Sequence, residues 1–320
     1  MSAAVLTAPG RVRLDRVRRP DPGPGQVRIR LEGSGVCGSD LAQWRGAPWF
    51  SYPLPPGQPG HEGWGEVDAL GSGVEAPAPG TRVATLAIGA YANYALDHAS
   101  AVVPLPDSLA DRPFPAEPLG CAMNVFRRSH VAPDDAVVVV GIGFLGALLT
   151  RLAVVAGARV MAVSRRRFAR DVGKQAGAEV VAELDHGPAA LEEWVRDWNS
   201  GRLADSVIEV TGTQSGLDAA SRLPRVRGRL VIAGYHQGGP RTVDLQGWNW
   251  RGLDVINAHE RDQAEYVRGM REAITAVETG RLDPWPLITH TFPLDLLDQA
   301  LDMARSRPDG FLKAVVIHDG

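Results

Sequence analysis

The sequence predicts a two-part α/β protein, in which a β-rich part comes first and a doubly wound parallel sheet follows. Short alternating segments between glycines and prolines fill the chain up to about residue 120, a texture typical of a partly open barrel or sandwich. After about Val131, apolar strand-like runs alternate with helical patterns, which predicts parallel strands covered by helices. The length of 320 residues suits one large domain or two of ordinary size.

The individual elements follow from local periodicity. In the first part, VRIRL at 27–31 alternates apolar and polar side chains, as a half-buried strand does, and further short strands are expected at 65–67, 82–86 and 101–103. The run AVVVV at 136–140 suits a central parallel strand buried on both faces. Later strands are expected at 158–163, 180–182, 206–210, 229–233, 253–256 and 312–317. Helices are expected at 147–156, 169–176, 265–278 and 294–304.

Composition excludes several functional classes. The formal net charge of −3 and pI of about 6.3 argue against a general nucleic-acid binder or a polybasic membrane-surface protein. Two cysteines cannot form a disulfide framework. The N-terminal segment lacks the apolar core of a signal peptide, and the apolar stretch at 136–150 is too short and too interrupted to span a bilayer. We therefore expect a cytoplasmic protein.

A glycine-rich turn follows the predicted central strand. Its sequence is G-x-G-x-x-G, and it opens a helix, which is the context that a dinucleotide-binding turn requires. The candidate cofactor-binding residues are Gly141, Gly143, Phe144, Leu145 and Gly146. A glycine turn in a generic α/β domain is the alternative.

The end of the next predicted strand indicates which cofactor is used. Ser164 stands where a carboxylate would hold the ribose hydroxyls of NAD, and Arg165 and Arg166 follow it. Guanidinium groups offer charge-assisted bonds to a 2′-phosphate, so NADP(H) is favoured over NAD(H). A solvated basic turn is the alternative.

A candidate metal site lies in the first part. Cys37 occurs in GVCGSD at 35–40, and His61 and Glu62 occur in GHEG at 60–63. Thiolate, imidazole and carboxylate are the ligands that zinc prefers. A cysteine or a loop histidine alone would more often be structural, but Cys37 and His61 both lie in glycine-rich loops ahead of the dinucleotide turn.

These motifs, with GTRV at 80–83, EPLG at 117–120 and GFLKAVV at 310–316, resemble in order and spacing the zinc-dependent medium-chain dehydrogenase/reductase family, in the style of sorbitol and threonine dehydrogenases. The resemblance covers essentially the whole chain. It implies a GroES-like catalytic domain at 1–122 and 260–320, and a Rossmann cofactor domain at 123–259.

The resemblance also implies roles for single residues. Cys37 and His61 would bind a catalytic zinc, and Glu62 and Glu117 would compete to supply the third protein ligand. Asp40 would orient His61 through its second ring nitrogen, and Ser39 would contact the substrate hydroxyl. Lys313 would approach the cofactor phosphates.

Two departures from the family pattern matter. The segment 86–98 is short and has no cysteine, so one catalytic zinc and no structural zinc are expected. Ala42 and Gln43 stand where a relay histidine often follows the CGSD motif. This puts the proton route in doubt, but not hydride transfer.

The implied activity is zinc-dependent hydride transfer between a nicotinamide cofactor and a secondary alcohol or ketone, with a polyol, sugar or cyclitol-like substrate. Residues expected to line the substrate pocket are Trp44, Phe50, Trp248 and His259, although interdomain or subunit packing is equally open for them. The partners would be a small-molecule alcohol or carbonyl compound and further copies of the chain, as a homodimer or homotetramer. The alternatives are a zinc-free quinone or enone reductase of the same superfamily and a non-catalytic NADPH-binding sensor.

Overall fold

The chain forms two compact units in a computed structural model that describes residues 1–318. The first unit comprises Met1–Gly120, Asp262–Glu278 and the chain from Asp283 onward. The second comprises Cys121–Arg261 and the short return segment Thr279–Leu282. The sequence did not predict this return.

The elements are numbered along the chain. The strands are β1 (Ser2–Ala8), β2 (Arg11–Arg16), β3 (Gln26–Gly35), β4 (Glu62–Leu70), β5 (Arg82–Thr85), β6 (Tyr94–His98), β7 (Val102–Pro104), β8 (Ala136–Val140), β9 (Arg159–Val163), β10 (Val180–Ala182), β11 (Ala204–Glu209), β12 (Pro224–Ile232), β13 (Asp254–Asn257), β14 (His290–Pro293) and β15 (Ala314–Ile317). The α-helices are α1 (Leu41–Trp44), α2 (Ala116–Ser129), α3 (Phe144–Val155), α4 (Arg167–Gln175), α5 (Pro188–Trp198), α6 (Gln214–Arg222), α7 (Leu245–Arg251), α8 (Gln263–Glu278) and α9 (Leu297–Ser306).

The second unit is built on a six-stranded parallel sheet with the order β10-β9-β8-β11-β12-β13. Strand β8 lies inside the sheet, and its valines are completely buried, as expected of a strand that helices cover on both faces. The strand order reverses between β8 and β11. Ligands of such sheets bind outside the carboxyl ends of the strands at this switch point.

The first unit is dominated by a seven-stranded sheet, in which β14, β15, β3, β4, β5 and β7 follow one another and β6 also pairs with β3. Apolar side chains on β3, β4 and β5 form one core, with Ile29, Val67 and Val83 fully buried. A second core packs α9 beneath β15. The mixed α/β fold class predicted from the sequence is confirmed.

The register of three strands brings distant motifs together. Strands β3 and β4 are antiparallel, and Gly35 pairs with Glu62. Strand β15 runs antiparallel on the other side of β3, where Val315 pairs with Gly35. The segments that begin with Cys37, His61 and Lys313 therefore meet at one corner of the sheet. Within residues 1–318, no helix is both long and apolar enough to cross a membrane.

Candidate metal centre and dinucleotide turn

Three potential metal ligands converge at this corner of the first unit. One ligand atom each from Cys37, His61 and Glu62 lies within 4.8 Å of the others, the one such cluster found among residues 1–318. A thiolate, an imidazole and a carboxylate form a donor set that suits zinc. These are the residues that sequence reasoning singled out for this role. The close spacing of their donor atoms fits a single ion.

A short turn holds Cys37 in place. The main chain makes a 3₁₀ turn over Gly38–Asp40, and the Cys37 sulfur accepts a hydrogen bond from the Ser39 N–H at 3.5 Å. Asp40 Oδ2 accepts from the Cys37 N–H at 3.0 Å, so the two side chains cap the turn reciprocally. The C-G-S-D turn thus fixes the Cys37 sulfur next to the other two potential ligands.

His61 has its two ring nitrogens in different surroundings. Nδ1 lies 3.0 Å from the Pro59 carbonyl oxygen, which can only accept, so Nδ1 carries a hydrogen and Nε2 is the ring nitrogen that could bind a metal. Ser39 Oγ lies 3.4 Å from Nε2. Asp40 Oδ1 lies 3.3 Å from Nδ1 but makes no hydrogen bond. The Pro59 carbonyl makes the hydrogen bond to Nδ1, and Asp40 faces the same ring nitrogen and acts on the ring through its charge, so the carboxylate lies where the resemblance places it.

This charge has a clear effect on His61. Burial alone would lower the pKa of the imidazole, but the negative charges of Asp40 and Cys37 outweigh it and raise the pKa well above its usual range. The corner of the sheet is thus strongly favourable for a positive charge. A bound cation would meet the same negative groups.

Lys313 neutralises the negative charge of Glu62. Its ammonium donates to Glu62 Oε1 at 2.7 Å, to Glu62 Oε2 at 2.5 Å and to the Val36 carbonyl at 3.0 Å. The side chains of Lys313 and Glu62 are only 6% and 1% exposed. Burial lowers the pKa of Lys313, but the charges of Glu62, Cys37 and Glu117 raise it overall. We correct the expected position of Lys313: its ammonium is committed to Glu62 instead of facing outward to cofactor phosphates.

Glu117, the competing candidate for the third ligand, lies in the first turn of α2. It is not part of the cluster of ligand atoms found in the described chain. Its charge nevertheless acts on Lys313. The geometry therefore groups Glu62 with Cys37 and His61, and places Glu117 close enough to act on Lys313.

In the second unit, the glycine turn has the properties that a dinucleotide requires. Gly141 has φ +104°, which favours glycine, and a Cβ on Gly146 would lie 2.0 Å from the Gly141 oxygen. A Cβ on Gly143 would meet no atom within 4 Å, so this side of the turn is open for close approach of a ligand to the main chain. The side chain of Phe144 is buried. Phe144 and Leu145 would therefore contribute their N–H groups at the start of α3.

The serine–arginine turn follows β9 as predicted from its sequence position. Ser164 is 8% exposed, whereas the side chain of Arg165 is 53% exposed and 4.0 Å from Asp185. Arg166 precedes the first residue of α4. Arg170, which sequence reasoning missed, donates to the carbonyl oxygens of Ser164 and Arg165 at 3.1 and 2.7 Å. It braces the main chain of the turn from one helical turn away.

Sequence reasoning also missed a buried network at the carboxyl ends of β11 and β12. Glu209 is fully buried and accepts from the Thr211 and Gly212 N–H groups at 2.6 and 3.0 Å. His236 Nε2 lies 3.0 Å from the same carboxylate, and Arg241 donates to His236 Nδ1 at 3.0 Å. The sequence offered two signals, an acidic residue at the end of an apolar strand and a histidine after the next strand.

Two of the four residues expected in the substrate pocket are core residues. Trp44 is 2% exposed and donates to Asp302 at 2.9 Å, and Trp248 is 8% exposed within the core of the second unit. Both side chains pack in hydrophobic cores instead of lining an open pocket, which corrects the expectation for them. Phe50 is half-buried beside Trp49, which is 60% exposed. His259 is exposed and stacks on Tyr235 with ring centroids 5.1 Å apart.

Comparison with known proteins places these features in a family. The alcohol dehydrogenase GroES-like domain model matches residues 23–107, and the zinc-binding dehydrogenase model matches residues 145–275. An erythritol/L-threitol dehydrogenase of Mycolicibacterium smegmatis is 30% identical over 96% of this chain and 94% of its own length. A sorbitol dehydrogenase of Gallus gallus is 27% identical over 95% and 93%. A mycobacterial protein solved in complex with NADPH is 25% identical and has a TM-score of 0.85, and the match covers 99% of this chain and 100% of its own.

A candidate thiolate–imidazole–carboxylate metal site in one unit and a parallel sheet of the dinucleotide-binding type in the other are the features expected of a cofactor-dependent oxidoreductase. Together with these matches, they show that the chain belongs to the zinc-type medium-chain dehydrogenase/reductase family. As a member of this family, it is a dehydrogenase. A nicotinamide cofactor follows from the same membership.

Proposed function

We propose that the protein is a zinc-dependent dehydrogenase that transfers hydride between NADP(H) and a secondary alcohol or ketone of the polyol type. The observation that carries this proposal is the cluster of Cys37, His61 and Glu62 ligand atoms within 4.8 Å. A quinone or enone reductase that works without a metal has no use for such a donor set. The expected assembly is a homodimer or homotetramer.

The residues present fit a zinc ion. The Cys37 sulfur, His61 Nε2 and a carboxylate oxygen would hold it, and when bound it supplies a Lewis acid for an alcohol or carbonyl oxygen. Ser39 Oγ, 3.4 Å from His61 Nε2, would contact the substrate hydroxyl and take part in passing on its proton. Lys313 keeps the Glu62 carboxylate in place inside the first unit. When bound, the nicotinamide cofactor would supply the hydride acceptor for alcohol oxidation, and the hydroxyl proton would leave to solvent.

The NADP(H) preference rests on the second unit. Gly143 leaves the main chain open to a pyrophosphate, and the exposed guanidinium of Arg165 follows a serine instead of an acidic residue. The complex of the mycobacterial relative with NADPH supports the same cofactor. The polyol substrate rests on the relatives, which are dehydrogenases of erythritol or L-threitol and of sorbitol.

The zinc assignment is tested by metal content and turnover together. We expect about one zinc per chain, as a single catalytic site requires, and oxidation of erythritol, L-threitol or sorbitol with NADP. Cys37→Ser should lose zinc and turnover but keep NADPH binding, while Cys121→Ser, the matched control, should keep all three. Wild-type protein that binds NADPH without zinc would favour the zinc-free reductase. NADPH binding with zinc but no turnover on any alcohol or carbonyl compound would favour the sensor.

The cofactor preference is tested at the arginines. The double variant Arg165→Ala, Arg166→Ala should weaken NADPH binding at least tenfold and leave NADH binding nearly unchanged, because only NADPH carries the 2′-phosphate. Arg202→Ala, an exposed arginine elsewhere in the second unit, serves as control. Equal weakening of both cofactors would contradict the assignment.

Replacing each glutamate by glutamine tests whether Glu62 or Glu117 is the third zinc ligand. If Glu62 is the third ligand, Glu62→Gln should lower the affinity for zinc far more than Glu117→Gln. The reverse order would assign the ligand to Glu117. Zinc titration of the metal-free proteins provides the measurement.

A further inference from the structure

Tyr91 joins the two loops that carry the candidate metal ligands. It lies between β5 and β6, is completely buried and is held at its main chain by hydrogen bonds to Gly57 O at 3.0 Å and from Ala4 N at 2.9 Å. Its ring covers Gly60, the residue before His61: a Cβ on Gly60 would lie 2.8 Å from Tyr91 Cγ. The ring therefore packs directly against the GHEG loop.

The hydroxyl group of Tyr91 reaches the other loop. It donates to Asp40 Oδ2 at 2.6 Å. The same carboxylate oxygen accepts from the Cys37 N–H at 3.0 Å, and the other oxygen lies 3.3 Å from His61 Nδ1. One phenol thus fixes a carboxylate that is shared by the Cys37 turn and the His61 ring.

Asp40 depends on this hydroxyl because it is buried. The residue is 1% exposed, and a buried carboxylate is stable only where donors replace its water. Its hydrogen bonds at Oδ2 come from Tyr91 and Cys37, and Oδ1 has no hydrogen-bond partner in the described structure. Without the phenol hydroxyl, the carboxylate is free to rotate toward another donor. Rotation would shift its charge away from His61 and release the Cys37 turn.

We propose that Tyr91 is a positioning residue of the metal centre, acting through Asp40 on both Cys37 and His61. The inference rests on the proposed zinc site. Outer partners of metal ligands typically change metal affinity by about 10- to 100-fold when they are removed. Tyr91→Phe keeps the ring on Gly60 and removes only the hydroxyl, so it isolates this effect from packing.

The test compares metal binding in full-length protein stripped with a chelator. Zinc affinity is measured by competition with a chromogenic chelator, and Co²⁺ is added separately to record its ligand-field and thiolate charge-transfer bands. Tyr91→Phe should bind zinc about 10- to 100-fold more weakly than wild type and show altered Co²⁺ bands. Tyr94→Phe, a nearby tyrosine whose ring lies beside Arg19 and Arg28, is the matched control and should behave as wild type.

A double-variant cycle separates positioning from a general structural effect. If Tyr91 acts through Asp40, Tyr91→Phe should add less than a twofold loss of zinc affinity when Asp40→Asn is already present. Independent, multiplying losses would overturn the proposed route, and so would zinc affinity and Co²⁺ bands of Tyr91→Phe that match wild type. If Tyr91→Phe does not fold, Asp40→Asn alone carries the test, and wild-type zinc affinity in that variant overturns the inference.

The same titration distinguishes the inference from the function on which it rests. Wild-type protein that takes up no zinc refutes both. Wild-type protein that takes up one zinc, together with an unaffected Tyr91→Phe, leaves the proposed function intact and refutes only the role of Tyr91. Urea unfolding of each metal-free variant checks that the first unit, which carries these substitutions, is folded.

Discussion

Replacing Lys313 by methionine should destabilise the protein far more than most single substitutions. Lys313 Nζ makes three hydrogen bonds, two of them to Glu62 at 2.7 and 2.5 Å, and the two side chains are 6% and 1% exposed. Methionine fills a similar volume but leaves the Glu62 carboxylate buried without its cation. Breaking a buried ion pair in this way costs about 3–5 kcal/mol, which is a factor of roughly 10² to several 10³ in the unfolding equilibrium.

The assay is equilibrium urea unfolding in the presence of a chelator, which keeps metal occupancy out of the comparison. The other lysine of the chain provides a matched control, because Lys174 is exposed and its ammonium donates only to the Glu179 carbonyl among the described contacts. Lys174→Met should cost less than about 1 kcal/mol, as surface charge interactions do. A destabilisation by Lys313→Met no larger than that of Lys174→Met would refute the reasoning.

A second variant tests whether the loss comes from the orphaned charge. Adding Glu62→Gln to Lys313→Met removes the uncompensated carboxylate, and pairs replaced by neutral groups are often close to neutral in stability. The double variant should therefore recover at least about half of the lost free energy of unfolding, a coupling of roughly 2 kcal/mol. Additive losses would show that the methionine disrupts packing and not charge balance.

Further predictions concern His318, a buried histidine, and the glycine turn. His318 is 5% exposed, and burial lowers its pKa from 6.5 to about 4. Because His318 resists protonation in the folded protein, the free energy of unfolding should be at its full value above pH 6.5 and fall by about 3 kcal/mol between pH 6.5 and 4. His318→Leu should lose this part of the pH dependence in urea unfolding. An unchanged dependence on pH in that variant would contradict the assignment. Gly143→Val should leave thermal stability nearly unchanged but abolish NADPH binding, because its Cβ points into open space. Gly146→Val should lower stability itself, because its Cβ would lie 2.0 Å from the Gly141 oxygen; equal effects of the two substitutions on stability would refute this distinction.

Features encoded by neighbouring residues could be predicted from the sequence. The run AVVVV at 136–140 is a buried central strand, and residues 141–143 form the turn before α3, whose first turn holds Gly146, because strand propensity, positive φ and helix initiation are all local properties. The ligand types at Cys37, His61 and Glu62 could likewise be recognised from their motifs.

Features that depend on strand register could not be predicted from the sequence. Nothing in the segments around Gly35 and Glu62 states that these residues pair across β3 and β4, or that β15 brings Lys313 onto the same carboxylate. Trp44 and Trp248 read as pocket residues because an aromatic side chain suits a core as well as a ligand site. The sequence contained no signal for Tyr91, because its proposed positioning role depends on its own segment packing against both the Cys37 turn and the GHEG loop.

The meeting of β3, β4 and β15 also sets an order of events during synthesis. Gly35 and Glu62 leave the ribosome early, whereas Lys313 and β15 come almost at the end of the described chain. The second unit lies between them in sequence and is nearly continuous from Cys121 to Arg261. We therefore expect it to fold while the nascent first unit still holds Glu62 without its cation. Completion of the first unit, and with it safe burial of that carboxylate, has to wait until the last strand is translated.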